Sequence, residues 1–191
     1  MKRFVIIALT LILLAAAAYV ADQYWIHRYD SLIATEAARY RVDPDLVWSI
    51  AYEESYFAPW KNGRAGEIGM MQVTPGVLQD WASENAGATI QQRSATDAGT
   101  MLRDPQRNVQ IACWYLQKAA DDFRDVPDRE ARMLAAYNAG RRRAAEWNRI
   151  PEGASPLTEQ QFIDRIDIQS TRAYVTSILK RYRQVKSAKA R

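Results

Sequence analysis

The sequence predicts an all-α fold, a single helical domain with at most a minor hairpin, preceded by an N-terminal apolar helix. Apolar residues recur at helical spacing over most of the chain, and no segment alternates convincingly between apolar and polar residues. The 191 residues suffice for one globular domain. Because no linker rich in Gly, Ser or Pro and no internal repeat divides them, we expect one core.

Residues 1–21 are predicted to form a transmembrane anchor or a signal peptide. Two basic residues precede the uncharged run Phe4–Ala21, which as a helix would span about 27 Å, close to the thickness of a bilayer core. Tyr24 and Trp25 follow as interfacial anchors. Small residues at Ala16–Ala18 also allow cleavage as a signal peptide. The uncleaved anchor is the favoured interpretation, and either one exports the rest of the chain.

Beyond this run, residues 22–28 are predicted as a polar and aromatic connector, 29–185 as the domain and 186–191 as a basic tail. Helix starts are indicated where an N-cap residue precedes proline. The pairs Asp43-Pro44, Thr74-Pro75 and Asp104-Pro105 fit this pattern. Irregular segments are predicted at residues 58–69, beside the end of the first domain helix, and at 86–100.

The later helices are predicted from their apolar stripes and end signals. The helix after Asp104 should lie in the core, because one face is apolar: Val109, Ala112, Cys113, Leu116, Ala120 and Phe123. Gly140 is a plausible end for a helix over 132–138, and Thr158 with Gln161 forms a capping-box pattern. The last helix has apolar positions Tyr174, Val175, Ile178, Leu179, Tyr182 and Val185.

Composition excludes several kinds of function. The formal net charge is +4, and the basic clusters at 141–143 and 180–191 contain a single aromatic, Tyr182, in place of the repeated interleaving of a nucleic-acid platform, so no nucleic acid partner is expected. His27 is the single histidine and Cys113 the single cysteine, which removes a His-based zinc site, a Ser-His-Asp triad and a Cys-His dyad within the domain. Neither a metal nor a cofactor is expected, since phosphate-binding glycine motifs are also missing. Carboxylates remain for proton chemistry.

Glu54 is the carboxylate whose position is unusual. It follows Val47, Ile50 and Ala51 at helical spacing and so shares their inward-facing stripe. Loss of hydration there should raise its pKa and allow it to act as a general acid. Glu53 points about 100° away, and periodicity alone chooses only weakly between the two glutamates. On this helix alone, both could be ordinary surface residues.

Five segments taken together resemble the soluble lytic transglycosylase domain family of the lysozyme-like superfamily. They follow the family's order and cover roughly residues 29–182, which is the whole predicted domain. The segments are Val47–Pro59 (VWSIAYEESYFAP), Gly66–Pro75 (GEIGMMQVTP), Asp104–Leu116 (DPQRNVQIACWYL), Ala136–Gly140 (AYNAG) and Ser170–Val175 (STRAYV).

This resemblance implies a lysozyme-like helical domain with a substrate cleft, in which Glu54 is the catalytic acid and base. It implies substrate-binding roles for Ser55, Met71, Gln72, Tyr137 and Asn138. The implied substrate is the glycan strand of peptidoglycan, cleaved at the β-1,4 bond between N-acetylmuramic acid and N-acetylglucosamine with a 1,6-anhydromuramoyl product. The implied location is the inner membrane, with the catalytic domain in the periplasm. Protein partners are not predicted.

Three positions depart from the family pattern, and two other functions stay open. Gly63 stands where the family often has Ser, Ser170 where many members have Glu, and Glu67 where Ala is common. A goose-type-lysozyme-like muramidase would hydrolyse the same bond on the same fold. A non-catalytic wall-binding module is the alternative from another class.

Overall fold

The computed structural model describes residues 2–85 and 95–190 and is helical throughout this part of the chain, apart from short connections. The predicted all-α class is confirmed. Its helices are α1 (Lys2–His27), α2 (Asp30–Arg39), α3 (Pro44–Ser55), α4 (Pro75–Asn85), α5 (Ala95–Arg103), α6 (Pro105–Asp122), α7 (Glu130–Ala139), α8 (Arg141–Trp147), α9 (Glu159–Arg165) and α10 (Gln169–Lys189).

The predicted helix starts lie where the capping residues placed them. Asp43 accepts a hydrogen bond from the Asp45 N–H at 2.9 Å, and Asp104 accepts one from the Arg107 N–H at 2.9 Å. Each side chain thereby satisfies a backbone donor that the first helical turn leaves free. The capping box of Thr158 with Gln161 is also present, at the start of α9.

The core is built around α6, α7, α3 and α10. α7 packs against α6 and α10, and α10 also packs against α3, which carries Glu54. All six residues of the predicted α6 stripe are buried, so the prediction of a core helix is confirmed. This arrangement fixes the end of α3 between α10 and the loop that follows α3.

The two predicted irregular segments have different outcomes. Residues 58–69 form a loop in which Ile68 makes isolated antiparallel bridges to Asn62 and Val73, within the predicted limit of at most a minor hairpin. For the predicted irregular segment 86–100, residues 86–94 lie outside the described residues. Residues 95–100 belong instead to α5, because this helix carries Leu102, which is fully buried, into the core.

The predicted connector and tail are both helical. α1 continues to His27, and the Trp48 indole N–H donates to the Ile26 carbonyl at 3.1 Å, so the end of α1 packs directly on the domain. α10 continues to Lys189, since Lys186 bonds to Asp43 at 2.8 Å. Contacts with the domain therefore extend the helices beyond the limits that composition suggested.

The apolar residues of the first five turns of α1, up to Val20, are not covered by the rest of the protein. Side chains such as Phe4, Leu13 and Val20 are each more than half exposed. By its length and composition, α1 could cross a membrane. A helix that is apolar on all sides and exposed is the arrangement expected for a bilayer-spanning segment.

Candidate active site

Glu54 lies in the last turn of α3, on the side of the helix that faces the core. Val47, Ile50 and Ala51 on this face are fully buried, whereas the Glu54 side chain at the helix end is partly buried. Tyr56 ends α3 in the left-handed conformation with φ of 54°, and its N–H caps the helix. A non-glycine residue in this conformation costs about 1 kcal/mol, which the surrounding packing must offset.

The Glu54 carboxyl receives a hydrogen bond from α10. The Tyr174 hydroxyl donates to Glu54 Oε1 at 2.8 Å. The pKa of Glu54 is raised to about 7, chiefly because burial disfavours the charged form; the Tyr174 hydrogen bond and the Lys61 charge lower it, and the charges of Glu67 and Glu53 add to the rise. At neutral pH this carboxyl is therefore divided between its protonated and ionised forms, as a group that both gives and takes a proton requires.

The loop at 68–72 is held against α6 and α7 by hydrogen bonds to its backbone. Asn108, which is fully buried, accepts from the Met71 N–H at 2.6 Å and donates to the carbonyls of Ile68 and Leu102, each at 2.9 Å. The Tyr137 hydroxyl donates to the Met71 carbonyl at 2.7 Å. The loop is thus fixed from two helices.

Gln72 and Tyr137 are brought to the same side of the domain as Glu54. The Gln72 amide donates to the carbonyls of Gly69 at 2.8 Å and Lys61 at 3.2 Å, and the Lys61 ammonium donates to the Glu54 carbonyl. Burial, followed by the charge of Glu54, raises the pKa of Tyr137 well above its ordinary value. The three predicted residues therefore form one cluster.

A small pocket adjoins this cluster. Its volume is about 60 Å³, and it is lined by Gln72, Val73, Thr74, Val77, Ala112, Tyr115 and Tyr137. A larger pocket of about 440 Å³ lies at the opposite end of α3, among residues of α2, α3 and the end of α10, and contains none of the predicted site residues. The smaller pocket is the better candidate for the active site, because Tyr137, whose pKa is raised, lines it.

Comparison with known proteins identifies the family to which the chain belongs. Residues 31–157 match the transglycosylase SLT domain family. The chain belongs to this family. The Escherichia coli (strain K12) soluble lytic murein transglycosylase is 26% identical over 175 residues, which cover 87% of this chain and 25% of that protein. Membrane-bound lytic murein transglycosylase E of Buchnera aphidicola is 25% identical over 167 residues, covering 83% of this chain and 67% of that protein.

Solved structures of transglycosylases share the fold of this SLT domain. An inactive mutant of the Pseudomonas aeruginosa lytic transglycosylase Slt matches with a TM-score of 0.68 at 22% identity, covering 86% of this chain and 25% of that one. The 70 kDa soluble lytic transglycosylase of Escherichia coli matches with a TM-score of 0.65 at 25% identity, covering 83% and 24%. The SLT chain thus spans about a quarter of the length of these soluble relatives.

Two predicted substrate-binding residues of the SLT domain are buried. Ser55 donates to the Met70 carbonyl at 2.7 Å and accepts from the Ala58 N–H at 3.1 Å. Met71 is fully buried, and its backbone is bonded by Asn108 and Tyr137. Ser55 helps to hold the 68–72 loop in place, and direct contact of either residue with a glycan stays a prediction. Asn138 is exposed and accepts from the Thr171 hydroxyl at 2.7 Å.

Sequence reasoning missed the site roles of Tyr174 and Asn108. Tyr174 was assigned to the apolar face of the last helix, because a tyrosine at helical spacing is normally a packing residue. It lies beyond residues 31–157, which match the family. Asn108 interrupts a helix that is otherwise apolar on its buried side, and this single polar residue was the available signal.

The departures at Gly63 and Glu67 are explained by one contact. A Cβ atom at position 63 would lie 2.1 Å from the Glu67 carboxylate and 2.9 Å from the Gln72 amide oxygen. The Glu67 carboxylate also accepts from the Ala65 N–H at 2.9 Å. The Glu67 side chain therefore occupies the space that a side chain at position 63 would need, and it would have to move if a Cβ were added there.

Removing the Tyr174 hydroxyl is expected to alter the pH dependence of the site. Because its hydrogen bond opposes the rise in the Glu54 pKa, Tyr174→Phe should raise this pKa further and move the alkaline limb of the rate profile to higher pH. A rate loss of about tenfold at neutral pH is expected from the lost positioning. Tyr182→Phe on the same helix removes a hydroxyl bonded to Asp43 instead, and should leave the profile unchanged.

Adding a methyl group at Gly69 is expected to unfold the loop, whereas the same change at Gly66 should be tolerated better. Both glycines have positive φ, 86° and 90°, so the backbone strain is shared. A Cβ at Gly69 would meet the Leu102 carbonyl at 2.2 Å, while nothing lies within 4 Å at Gly66. Denaturant unfolding should show a loss of about 1 kcal/mol for Gly66→Ala and several for Gly69→Ala. Equal losses would contradict the steric account.

Proposed function

We propose that the chain is a peptidoglycan lytic transglycosylase, which cleaves the β-1,4 bond between N-acetylmuramic acid and N-acetylglucosamine. The observation that carries the proposal is the Glu54 carboxyl, partly buried, hydrogen-bonded by Tyr174 at 2.8 Å and with a pKa of about 7. Glycan cleavage needs an acid that remains protonated near neutral pH, and this group supplies it.

In the first step, protonated Glu54 gives its proton to the glycosidic oxygen while the bond from that oxygen to the muramoyl anomeric carbon breaks. In the second step, ionised Glu54 takes the proton of the muramoyl 6-hydroxyl, whose oxygen bonds to the same carbon. The product is a 1,6-anhydromuramoyl end and no water is consumed. Glu54 finishes protonated, ready for another cycle, so one carboxyl serves both steps.

The surrounding residues divide into two groups in this proposal. Gln72, Tyr137 and Asn138 contact the glycan, because Gln72 and Tyr137 line the small pocket and Asn138 is exposed on the same helix as Tyr137. Ser55 and Met71 hold the loop that carries Gln72. Tyr174 positions the Glu54 carboxyl. Polar groups that are already fixed in place stabilise the charge that develops in the transition state better than mobile water does.

The names of the relatives support this assignment. Those relatives are called soluble and membrane-bound lytic murein transglycosylases. The Pseudomonas aeruginosa structure is of a mutant called inactive, with glutamine in place of one glutamate. We further propose that residues 29–185 form the catalytic domain, and that α1 anchors it to the inner membrane with the domain in the periplasm.

Product analysis tests the proposal. Purified peptidoglycan sacculi would be digested with the full chain in detergent, and the soluble muropeptides weighed by mass spectrometry. Anhydromuramoyl ends are the expected result. Ends heavier by one water would instead identify a goose-type-lysozyme-like muramidase, and binding to sacculi without soluble products would identify a wall-binding module.

A further inference from the structure

The exposed aromatic residues of the domain are gathered at the end of α1. Among the described residues, the large apolar side chains that are strongly exposed lie on α1 itself, with two exceptions. The exceptions are Tyr56, 39% exposed, and Trp60, 60% exposed, both in the segment that follows Glu54. Together with Trp25 of α1, which contacts both of them, they form a surface that we call the aromatic patch.

The aromatic patch joins α1 firmly to the domain. The Trp25 indole N–H donates to the Tyr56 carbonyl at 2.8 Å, and the Trp25 and Trp60 rings meet edge to face with centroids 5.7 Å apart. Arg28 donates to the Trp25 carbonyl at 2.8 Å and to the Phe57 carbonyl, and its guanidinium covers the Trp25 ring at 3.2 Å. The orientation of the domain relative to α1 is therefore fixed by several contacts.

A further contact shows which part of α1 the aromatic patch lies beside. The Tyr56 hydroxyl bonds to the Asp22 carboxylate, and Asp22 is the first charged residue after the apolar run that ends at Ala21. If α1 spans a bilayer, Asp22 lies where hydrocarbon gives way to headgroups. Tyr and Trp side chains favour this interfacial zone, because their rings are apolar and their edges polar.

Basic side chains lie in the loop that carries Trp60 and beside it, while Asp22 supplies one carboxylate at the α1 side. Lys61 and Arg64 are exposed in the same loop, and Arg103 donates to the Trp60 carbonyl at 2.9 Å while remaining exposed. The nearby carboxylate of Glu67 is bonded to the loop's own backbone. Basic residues beside interfacial aromatics complement the negative charge of anionic phospholipids, at about 1 kcal/mol for each Lys or Arg near the surface.

We propose that the loop at 56–64 lies on the bilayer surface where α1 ends and contacts anionic phospholipid headgroups through Tyr56, Trp60 and Arg64. Because Glu54 precedes Tyr56 by two residues, at most about 7 Å of backbone separates them. The catalytic group is then held close to the membrane, and the glycan strands within its reach are those nearest the bilayer. This last consequence rests on the proposed function; the lipid contact rests only on the insertion of α1.

Depth measurements on the full chain in lipid nanodiscs containing phosphatidylglycerol test the contact. A nitroxide label would be attached to Arg64→Cys, to Arg142→Cys as a water-exposed reference on α8, and to Leu13→Cys to verify insertion. Cys113 is fully buried and should not react. Relative to the label at position 142, the one at 64 should be several-fold less relaxed by a water-soluble nickel chelate and more relaxed by oxygen.

Equal accessibility of labels 64 and 142, with label 13 inserted, would overturn the proposal, as would a label at 13 outside the bilayer. Adding Trp60→Ser to Arg64→Cys should return the label at 64 towards the aqueous value. Shielding at 64 that appears only when glycan fragments are added would assign the loop to substrate and also overturn the lipid contact. Cleavage of sacculi is assayed separately, so a chain that docks without cleaving would contradict the proposed function and leave the contact standing.

Discussion

Glu54→Gln is expected to lower the rate of glycan cleavage by about 10³-fold or more while the domain stays folded. Glutamine occupies nearly the same volume and can still accept the hydrogen bond from Tyr174, but it can neither give nor reclaim the proton. General acid and base catalysis by one side chain contributes about 10²–10⁴-fold, and here both steps use the same group. The rate of release of soluble muropeptides from sacculi measures the loss.

The same substitution should change stability with a definite dependence on pH. The pKa of Glu54 is about 7 in the folded chain, above the ordinary value of 4.5, so folding favours the protonated form. This contribution is complete below the unfolded pKa and is lost as pH rises through about 7. Glu54→Gln should therefore be more stable than the natural chain at pH 8, on the order of 2 kcal/mol, and nearly equal to it at pH 4.

Glu53→Gln is the matched control for both effects. Glu53 neighbours Glu54 in the chain, but it is exposed and pairs with Ser177 at 3.1 Å and Arg181 at 3.6 Å. Its replacement should change the rate less than about tenfold and should give no gain of stability at pH 8. Full activity in Glu54→Gln, or an equal loss in both variants, would place the acid elsewhere.

The second large effect is expected for Asn108→Ala. Asn108 bonds to the backbone of Ile68, Met71 and Leu102, and all three contacts would be lost at a fully buried position. Unpaired buried backbone groups and the cavity should lower the free energy of unfolding by about 3–5 kcal/mol. Because the loop at 68–72 carries Gln72, Asn108→Ala should also slow cleavage. KM should rise more than in a variant that loses the same stability at a position away from this loop.

An exposed asparagine provides the comparison. Asn85 at the end of α4 is exposed and donates to the Trp81 carbonyl at 2.9 Å. Asn85→Ala should lower the free energy of unfolding by less than about 1 kcal/mol and leave KM unchanged. Urea unfolding of both variants distinguishes the two positions, and a loss below about 1 kcal/mol for Asn108→Ala would contradict the role assigned to this residue.

Much of the fold was predictable because its signals are local. The caps at Asp43, Asp104 and Thr158 and the stripe of α6 depend only on neighbouring residues, and the structure confirms each. The helical state of residues 22–27 was not predictable, since it depends on Trp25 reaching Tyr56 across 31 positions of sequence. Long-range contacts of this kind leave no periodic pattern.

The candidate site was predictable to a similar degree. Glu54 could be singled out because a charged residue on an apolar stripe is a local anomaly, and the family resemblance then chose it over Glu53. Tyr174 lies 120 positions away, and its hydroxyl is used for a hydrogen bond that helical spacing cannot reveal. Met71 and Ser55 are buried and bonded to the protein itself, and their contact with the glycan stays a prediction.

The pKa of the Glu54 carboxyl tests the central claim most directly. It can be measured by following the side-chain carboxyl carbons with ¹³C NMR through a pH titration, with Glu54→Gln identifying the resonance. A midpoint of about 7 is expected, falling towards the ordinary value of 4.5 when the chain is unfolded. A midpoint near 4.5 in the folded protein would mean that the carboxyl is well hydrated and ionised at neutral pH, and would contradict the proposed role of Glu54 as the acid.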